Sequence, residues 1–144
     1  MLLVRVGKAD RRDGASAGTA TTYAVDIGDA QEIIGLRRMT RLPGAPACVR
    51  GLINVRGAIV TVLDLGMRLD AERPPVTEGS ILLVRRGARL VGIVVDQVID
   101  VRRLDLDDLE PVDARGIVRG MTHLDDAPVV VLDLDGMIKQ VLLS

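Results

Sequence analysis

One histidine, one cysteine and several closely spaced aspartates are the residues of this chain that could carry acid–base, nucleophilic or metal chemistry. His123 stands in Met121-Thr122-His123-Leu124, where a general base would need an orienting partner and a nucleophile within hydrogen-bond reach. Asp125 and Asp126 follow it, but no serine or cysteine lies in a nucleophile-elbow motif, so an ordinary strand histidine is expected. A zinc site needs more nitrogen and sulfur ligands than one His and Cys48 supply. Asp105-Leu106-Asp107-Asp108 and Asp133-Leu134-Asp135 suggest calcium or paired carboxylates. The first lacks the glycine and terminal Glu of an EF-hand loop, however, and both fit helix N-terminal caps. No glycine-rich phosphate cradle of the GxGxxG or GxxxxGK[ST] type occurs. The residues point away from an enzyme and call for no metal or other cofactor.

Arginine is the remaining polar chemistry. Only Lys8 and Lys139 are lysines; the other basic residues present planar forks suited to carboxylates or carbonyls, although heavy Ala, Val, Arg and Asp usage also fits genomic base composition. Arg56 lies in Asn54-Val55-Arg56-Gly57 between two β-type runs, and Gly57 permits a tight turn that would present the arginine rigidly. A merely solvated Arg56 is the alternative. Lys+Arg 19 against Asp+Glu 20 gives a net charge of -1, without the basic excess that nucleic acid or an anionic membrane would require. Aromatic residues make up 1%, with Tyr23 alone, which excludes base-stacking platforms and aromatic cages.

The elements that must position these residues are short and aliphatic. The 144 residues suffice for one ordinary domain, or two very small ones sharing a core. Runs of β-branched residues and Leu at 2–6, 21–27, 49–55, 58–65, 80–86, 89–95, 98–104, 116–124 and 129–133 read as strands. Gly87-Ala88 and Asp125-Asp126 read as hairpin turns. Asp29 to Ile34 reads as a short helical turn with Asp29 and Glu32 in a capping box. Asp133 to Leu143 places Leu134, Met137, Ile138, Val141 and Leu142 on one helical face. Residues 8–20 are small or charged and read as a flexible loop, and the stretch 68–79 with Pro74-Pro75 reads as the internal boundary. The class is all-β, as barrels or a sandwich. Cys48, between apolar neighbours, reads as a buried small hydrophobe in a reducing compartment. The absence of a leader-like start or of an apolar run near ~20 residues predicts a soluble cytoplasmic protein without direct membrane insertion.

Val49-Arg50-Gly51-Leu52-Ile53-Asn54-Val55-Arg56-Gly57, followed by an apolar strand ending Asp64-Leu65, resembles the signature of CheW-type chemotaxis coupling domains. Leu90 to Val101 and the stretch from Gly120-Met121 to Asp135 match further blocks of that family, in order and at its spacing. The resemblance covers nearly all of the chain. It implies two five-stranded SH3-like barrels packed on a shared apolar core, with short helices including a C-terminal one. Within a single domain spanning 1–144, one subdomain would hold about 21–79 and the other about 1–7 with 80–144. The long loop 8–20 departs from the tight hairpin usual in the family.

The function so implied is a non-catalytic adaptor that joins the cytoplasmic tip of methyl-accepting chemoreceptors to the histidine kinase CheA, in arrays at the inner face of the membrane. CheA's regulatory domain shares the fold, and alternation of the two domains would close rings. Matched residue by residue, receptor helices would lie against Ala30, Glu32 and Ile33 and against Val98 and Val101. Arg56 would be the polar anchor of the Asn54 to Gly57 motif, with Gly51 holding its backbone. For the aliphatic members, simple core packing is the alternative. Two further readings stand beside this one: a CheW-like domain of a larger kinase or receiver fusion, and a small-ligand sensor or enzyme using the inter-barrel cleft with His123 or the aspartate clusters.

Overall fold

The aliphatic runs become ten strands among the residues described by the computed structural model, namely 2–6, 21–26, 32–70, 74–104, 106–111 and 116–142. In chain order these are β1 (Leu2–Val6), β2 (Thr21–Val25), β3 (Glu32–Gly35), β4 (Val49–Val55), β5 (Ala58–Asp64), β6 (Ser80–Arg86), β7 (Arg89–Val95), β8 (Gln97–Val101), β9 (Val118–Leu124) and β10 (Ala127–Leu132). Helix α1 (Leu65–Leu69) follows β5, helix α2 (Leu134–Leu142) follows β10, and Leu106–Asp108 forms a single 3-10 turn.

Two five-stranded sheets result, in the orders β8-β1-β2-β10-β9 and β3-β6-β7-β5-β4. The edges of both are joined. After β3 the chain runs back along β4, where Thr40 and Leu52 exchange backbone hydrogen bonds of 3.0 and 2.8 Å. After β8 it runs back along β9, where Glu110 and Met121 exchange bonds of 2.8 and 2.9 Å. Joined edges leave few backbone groups unpaired, and each sheet rolls into a small barrel. This is the all-β, two-barrel architecture expected from the sequence.

The division of strands differs from expectation. The boundary at Pro74-Pro75 does not separate the barrels: β6 and β7, within residues 80–95, lie at the centre of the sheet that holds β3, β4 and β5, and β2 lies between β1 and β10. Parallel pairing is the reason. Strand β7 lies parallel to β5, with Thr61 beside Val91 and Asp64 beside Val94, and β10 lies parallel to β2. Parallel neighbours need a crossover connection, so each barrel recruits strands from both sides of the Pro-Pro stretch. The helical turn expected at Asp29 to Ile34 is corrected as well. Glu32–Gly35 is a strand, antiparallel to Ser80–Leu83 of β6. Adjacent β-branched Ile33 and Ile34 fit a pleat better than a helix, and the ladder with β6 outweighs the local capping signal. Asp29, Ala30 and Gln31, and the loop at 8–20, lie outside the described residues.

The two barrels repeat one plan. In each, a hairpin with a bulge is closed by a two-residue turn: Gly51 faces Val62 in one, and Gly120 faces Val131 in the other. Asp64 N–H donates to Cys48 O at 2.7 Å, and Asp133 N–H to Ile117 O at 2.6 Å. Asp64 then caps α1 by accepting from Met67 N–H at 3.0 Å, and Asp133 caps α2 by accepting from Gly136 N–H at 3.0 Å. Capping is the role the sequence assigned to Asp133.

Alternation along the strands divides the core into three. Ile53, Val55, Val60, Val62, Ile81, Leu83 and Val94 fill one barrel. Ala24, Val129 and Val131 fill the other, with Leu104, Leu106 and Leu109 packed against them. Side chains of opposite parity, among them Val25, Leu63, Leu82, Ile93 and Leu132, meet Leu134, Met137 and Ile138 of α2 in a cluster between the barrels. Strand β6 is therefore buried on both faces, which explains its unbroken Ile81-Leu82-Leu83-Val84 run. Cys48 is buried, as expected of a small hydrophobe. No helix among the described residues is long and apolar enough to cross a membrane.

Candidate functional site

The turn between β4 and β5 puts Arg56 at φ 50 and Gly57 at φ 86. Two positive φ values suit the twist of a two-residue hairpin, and Gly57 adopts its angle freely, whereas Arg56 is held in a region that side chains disfavour. Asn54 stabilises the bend by accepting from Gly57 N–H at 2.9 Å. Asn54, Arg56 and Gly57 thus form one rigid corner that pushes the Arg56 side chain outward, where it is 70% exposed.

At this corner Arg56 meets Glu32, the first residue of β3, in an ion pair and hydrogen bond across the seam where the barrel closes. The hydrogen bond from Arg56 holds the Glu32 carboxyl below its ordinary value. Partial desolvation opposes that shift, and the charges of Arg56 and Arg37 reinforce it. The same hydrogen bond and the charge of Glu32 raise the Arg56 guanidinium. Both groups are ionised at neutral pH, so the corner presents a fixed dipole.

Ile33 lies beside Glu32 with 49% of its surface exposed. Ile34 turns the other way and packs against the core of its own barrel. On the other barrel, edge strand β8 carries Ile99 at 38% and Val101 at 64% exposure. Val98 instead packs against the cluster between the barrels. Core packing thus describes Val98, whereas Ile33 and Val101 stand in solvent. Gly51 sits at the far end of β4 from Arg56. A Cβ there would lie 2.4 Å from Thr40 O, so glycine is what allows the chain after β3 to close the barrel. Glu32, Asn54, Arg56 and Gly57 are therefore brought together, Ile33 adjoins them, and Val98 and Val101 belong to the other barrel. Ala30 lies outside the described residues.

Sequence reasoning missed several residues. Ile59 follows the turn at 66% exposure and Ile99 stands on β8; nothing in an aliphatic run marks which member faces water. Arg50 donates to Asp64 Oδ2 at 3.1 Å and to Val76 O at 3.3 Å. With Asp64 only 2% exposed, this pair anchors the hairpin to α1 and to the chain before β6. Arg86 ties Asp26 O (3.0 Å) to the Asp135 carboxylate of α2. His123 is exposed on β9 opposite Pro128. Among the described residues no group of three His, Cys, Asp or Glu side chains is placed to hold a metal.

A corner built from a signature motif, on a two-barrel scaffold, is what comparison with known proteins also finds. The model of the CheW-like domain matches residues 15–142. The chemotaxis protein CheW of Klebsiella aerogenes is 30% identical over 123 residues, which span 81% of this chain and 74% of that protein. The chemotaxis protein CheW of Rhizobium meliloti is 30% identical over 122 residues, 80% of this chain and 79% of that one. Among solved structures, the scaffolding protein TtCheW from Thermoanaerobacter tengcongensis superposes with a TM-score of 0.68 at 26% identity, covering 91% of this chain and 87% of that one. The chain belongs to the CheW-like family.

Proposed function

We propose that this protein is a non-catalytic adaptor that couples the cytoplasmic tips of chemoreceptors to a CheA-type histidine kinase. The observation that carries the reading is the family match over 15–142, which includes the whole Glu32–Arg56 corner. The exposed side chains are of the kind such a role needs. Ile33, Ile99 and Val101 offer aliphatic surface to an apolar helix face, and Arg56 offers a directed charge that fixes its register. Few residues dominate such contacts when neighbouring ones exclude water. Signal passes through occupancy and geometry of binding, so no reacting group is required. The protein works at the cytoplasmic face of the membrane, where receptor tips and kinase meet.

Replacing Arg56 by Glu tests the reading. The exposed side chain can change without altering the core, but Arg56→Glu sets two carboxylates against each other at the corner. Co-sedimentation with receptor-bearing membranes and kinase is expected to weaken by about tenfold or more, with an unchanged circular-dichroism spectrum. Undiminished co-sedimentation of the folded variant would overturn the assignment.

A further inference from the structure

Strands β6 and β7 meet in the turn Gly87-Ala88, and the residues that face each other across it are both arginines, Arg86 and Arg89. Like charges directly opposite each other weaken a hairpin, so each calls for a counter-charge. Arg86 has one: half-buried, it pairs with the Asp135 carboxylate of α2 and donates to Asp26 O and Arg85 O at 3.0 and 2.9 Å. Arg89 is exposed, and no carboxylate among the described residues pairs with it. The same holds for Lys139 of α2. Asp135, Ile138, Lys139 and Leu142 are spaced i, i+3, i+4 and i+7, so a single face of the helix is turned to the hairpin.

Between that face and the turn lies a pocket of about 340 Å³. Ile138 and Leu142 supply its aliphatic lining, and Gly87 leaves it open, since no atom stands within 4 Å of the place its Cβ would take. Arg86, Arg89 and Lys139 line it too, against the one carboxylate of Asp135. Apolar walls with a few placed charges are what small-molecule sites of this size have in common. We infer that the pocket binds a single-chain aliphatic carboxylate, its hydrocarbon against Ile138 and Leu142 and its carboxylate between Arg89 and Lys139. An inorganic anion would leave the aliphatic lining in water, and a neutral alcohol would leave both cations unanswered, whereas a carboxylate with a chain answers both. Ile138 also belongs to the cluster between the barrels, so the bound chain would rest on the helix that fills their junction. None of these residues is among those assigned to receptor binding, and the inference stands without that assignment.

Titration of the nitrogen-15-labelled chain with hexanoate, followed by its amide shifts, tests it. Saturable shifts centred on residues 86–89 and 135–142 are expected, with a dissociation constant of about 1 mM or tighter. Hexanol, which keeps the chain without the charge, and acetate, which keeps the charge without the chain, should each bind about tenfold more weakly. Arg89→Gln with Lys139→Gln should weaken hexanoate about tenfold and leave hexanol unchanged, a split that general loosening of the helix would not produce. Both side chains are exposed, and circular dichroism verifies folding; where the double variant does not fold, Lys139→Gln alone replaces it, with an expected loss of about threefold. N-acetyl-leucyl-leucine offers the same carboxylate at the end of a peptide, and tighter binding of it than of hexanoate overturns the inference in favour of a partner's chain terminus. No saturable shift up to about 20 mM hexanoate overturns it outright. So do shifts centred elsewhere, hexanol bound as tightly as hexanoate, or a folded variant that binds hexanoate as the parent does.

Discussion

At Arg56 a costly backbone angle and a solvent-exposed charge coincide. Position 56 needs φ near 50, which glycine or asparagine would supply with less strain, yet arginine is held there and paired with Glu32. Replacing it by glycine separates its two roles. The variant Arg56→Gly is expected to melt no lower than the parent, and up to about 5 °C higher, because the turn strain is relieved. Glu32 then loses the hydrogen bond that depresses it, and its carboxyl should titrate close to its ordinary value of 4.5, against a lower one in the parent. A carbon-13 carboxyl titration of both chains measures this, and identical Glu32 curves would refute the pairing. The sign follows from the depression: any stability from this contact is present above the unfolded value and is lost as pH falls through the lower folded one. Arg56 was legible in the sequence because Gly57 follows it and apolar runs flank the turn. Its partner was not, since Glu32 lies in another strand and meets Arg56 only once the barrel closes.

Equivalent elements of the two barrels carry unequal loads. Asp64 and Asp133 both end a strand and cap the helix that follows, a role legible at Asp133 from its position before an amphipathic run. Asp64 also takes the half-buried Arg50 guanidinium and is itself nearly inaccessible, whereas Asp133 is exposed. Asp64→Ala leaves a half-buried arginine without its carboxylate and an uncapped helix, and should cost about 3–4 kcal/mol. Asp133→Ala removes a cap and should cost about 1 kcal/mol. Urea denaturation of the two variants measures the difference, and equal losses would show that the Arg50 contact contributes nothing. The misread element, β3, marks where local signals stop being informative. Asp29 and Glu32 have the spacing of a capping box, but Ile33 and Ile34 gain more by pairing with β6 than a single turn of helix returns.

At the level of the molecule, the barrels cannot be cut apart along the chain. Their all-β class followed from short aliphatic runs and turn residues and their number from the family resemblance, whereas the parallel pairs β5–β7 and β2–β10 join segments that no local pattern connects. One trace of the plan does stand in the sequence: Val62-Leu63-Asp64-Leu65-Gly66-Met67 recurs as Val131-Leu132-Asp133-Leu134-Asp135-Gly136-Met137, the end of a hairpin running into its capped helix. Because Leu63, Leu82 and Ile93 of one barrel and Val25 and Leu132 of the other share a cluster, neither keeps its core when the other unfolds. Unfolding should therefore be a single transition. Tyr23 packs against that cluster from β2, so its near-ultraviolet dichroism reports the first barrel, while the far-ultraviolet signal reports both. The two signals should lose intensity at one urea midpoint. Leu82 belongs to the second barrel and is 1% exposed. Leu82→Ala should lower stability by about 3 kcal/mol and shift both signals together. A shifted far-ultraviolet curve with an unmoved Tyr23 curve would show that the barrels fold independently, and that the shared cluster joins them without making one cooperative unit.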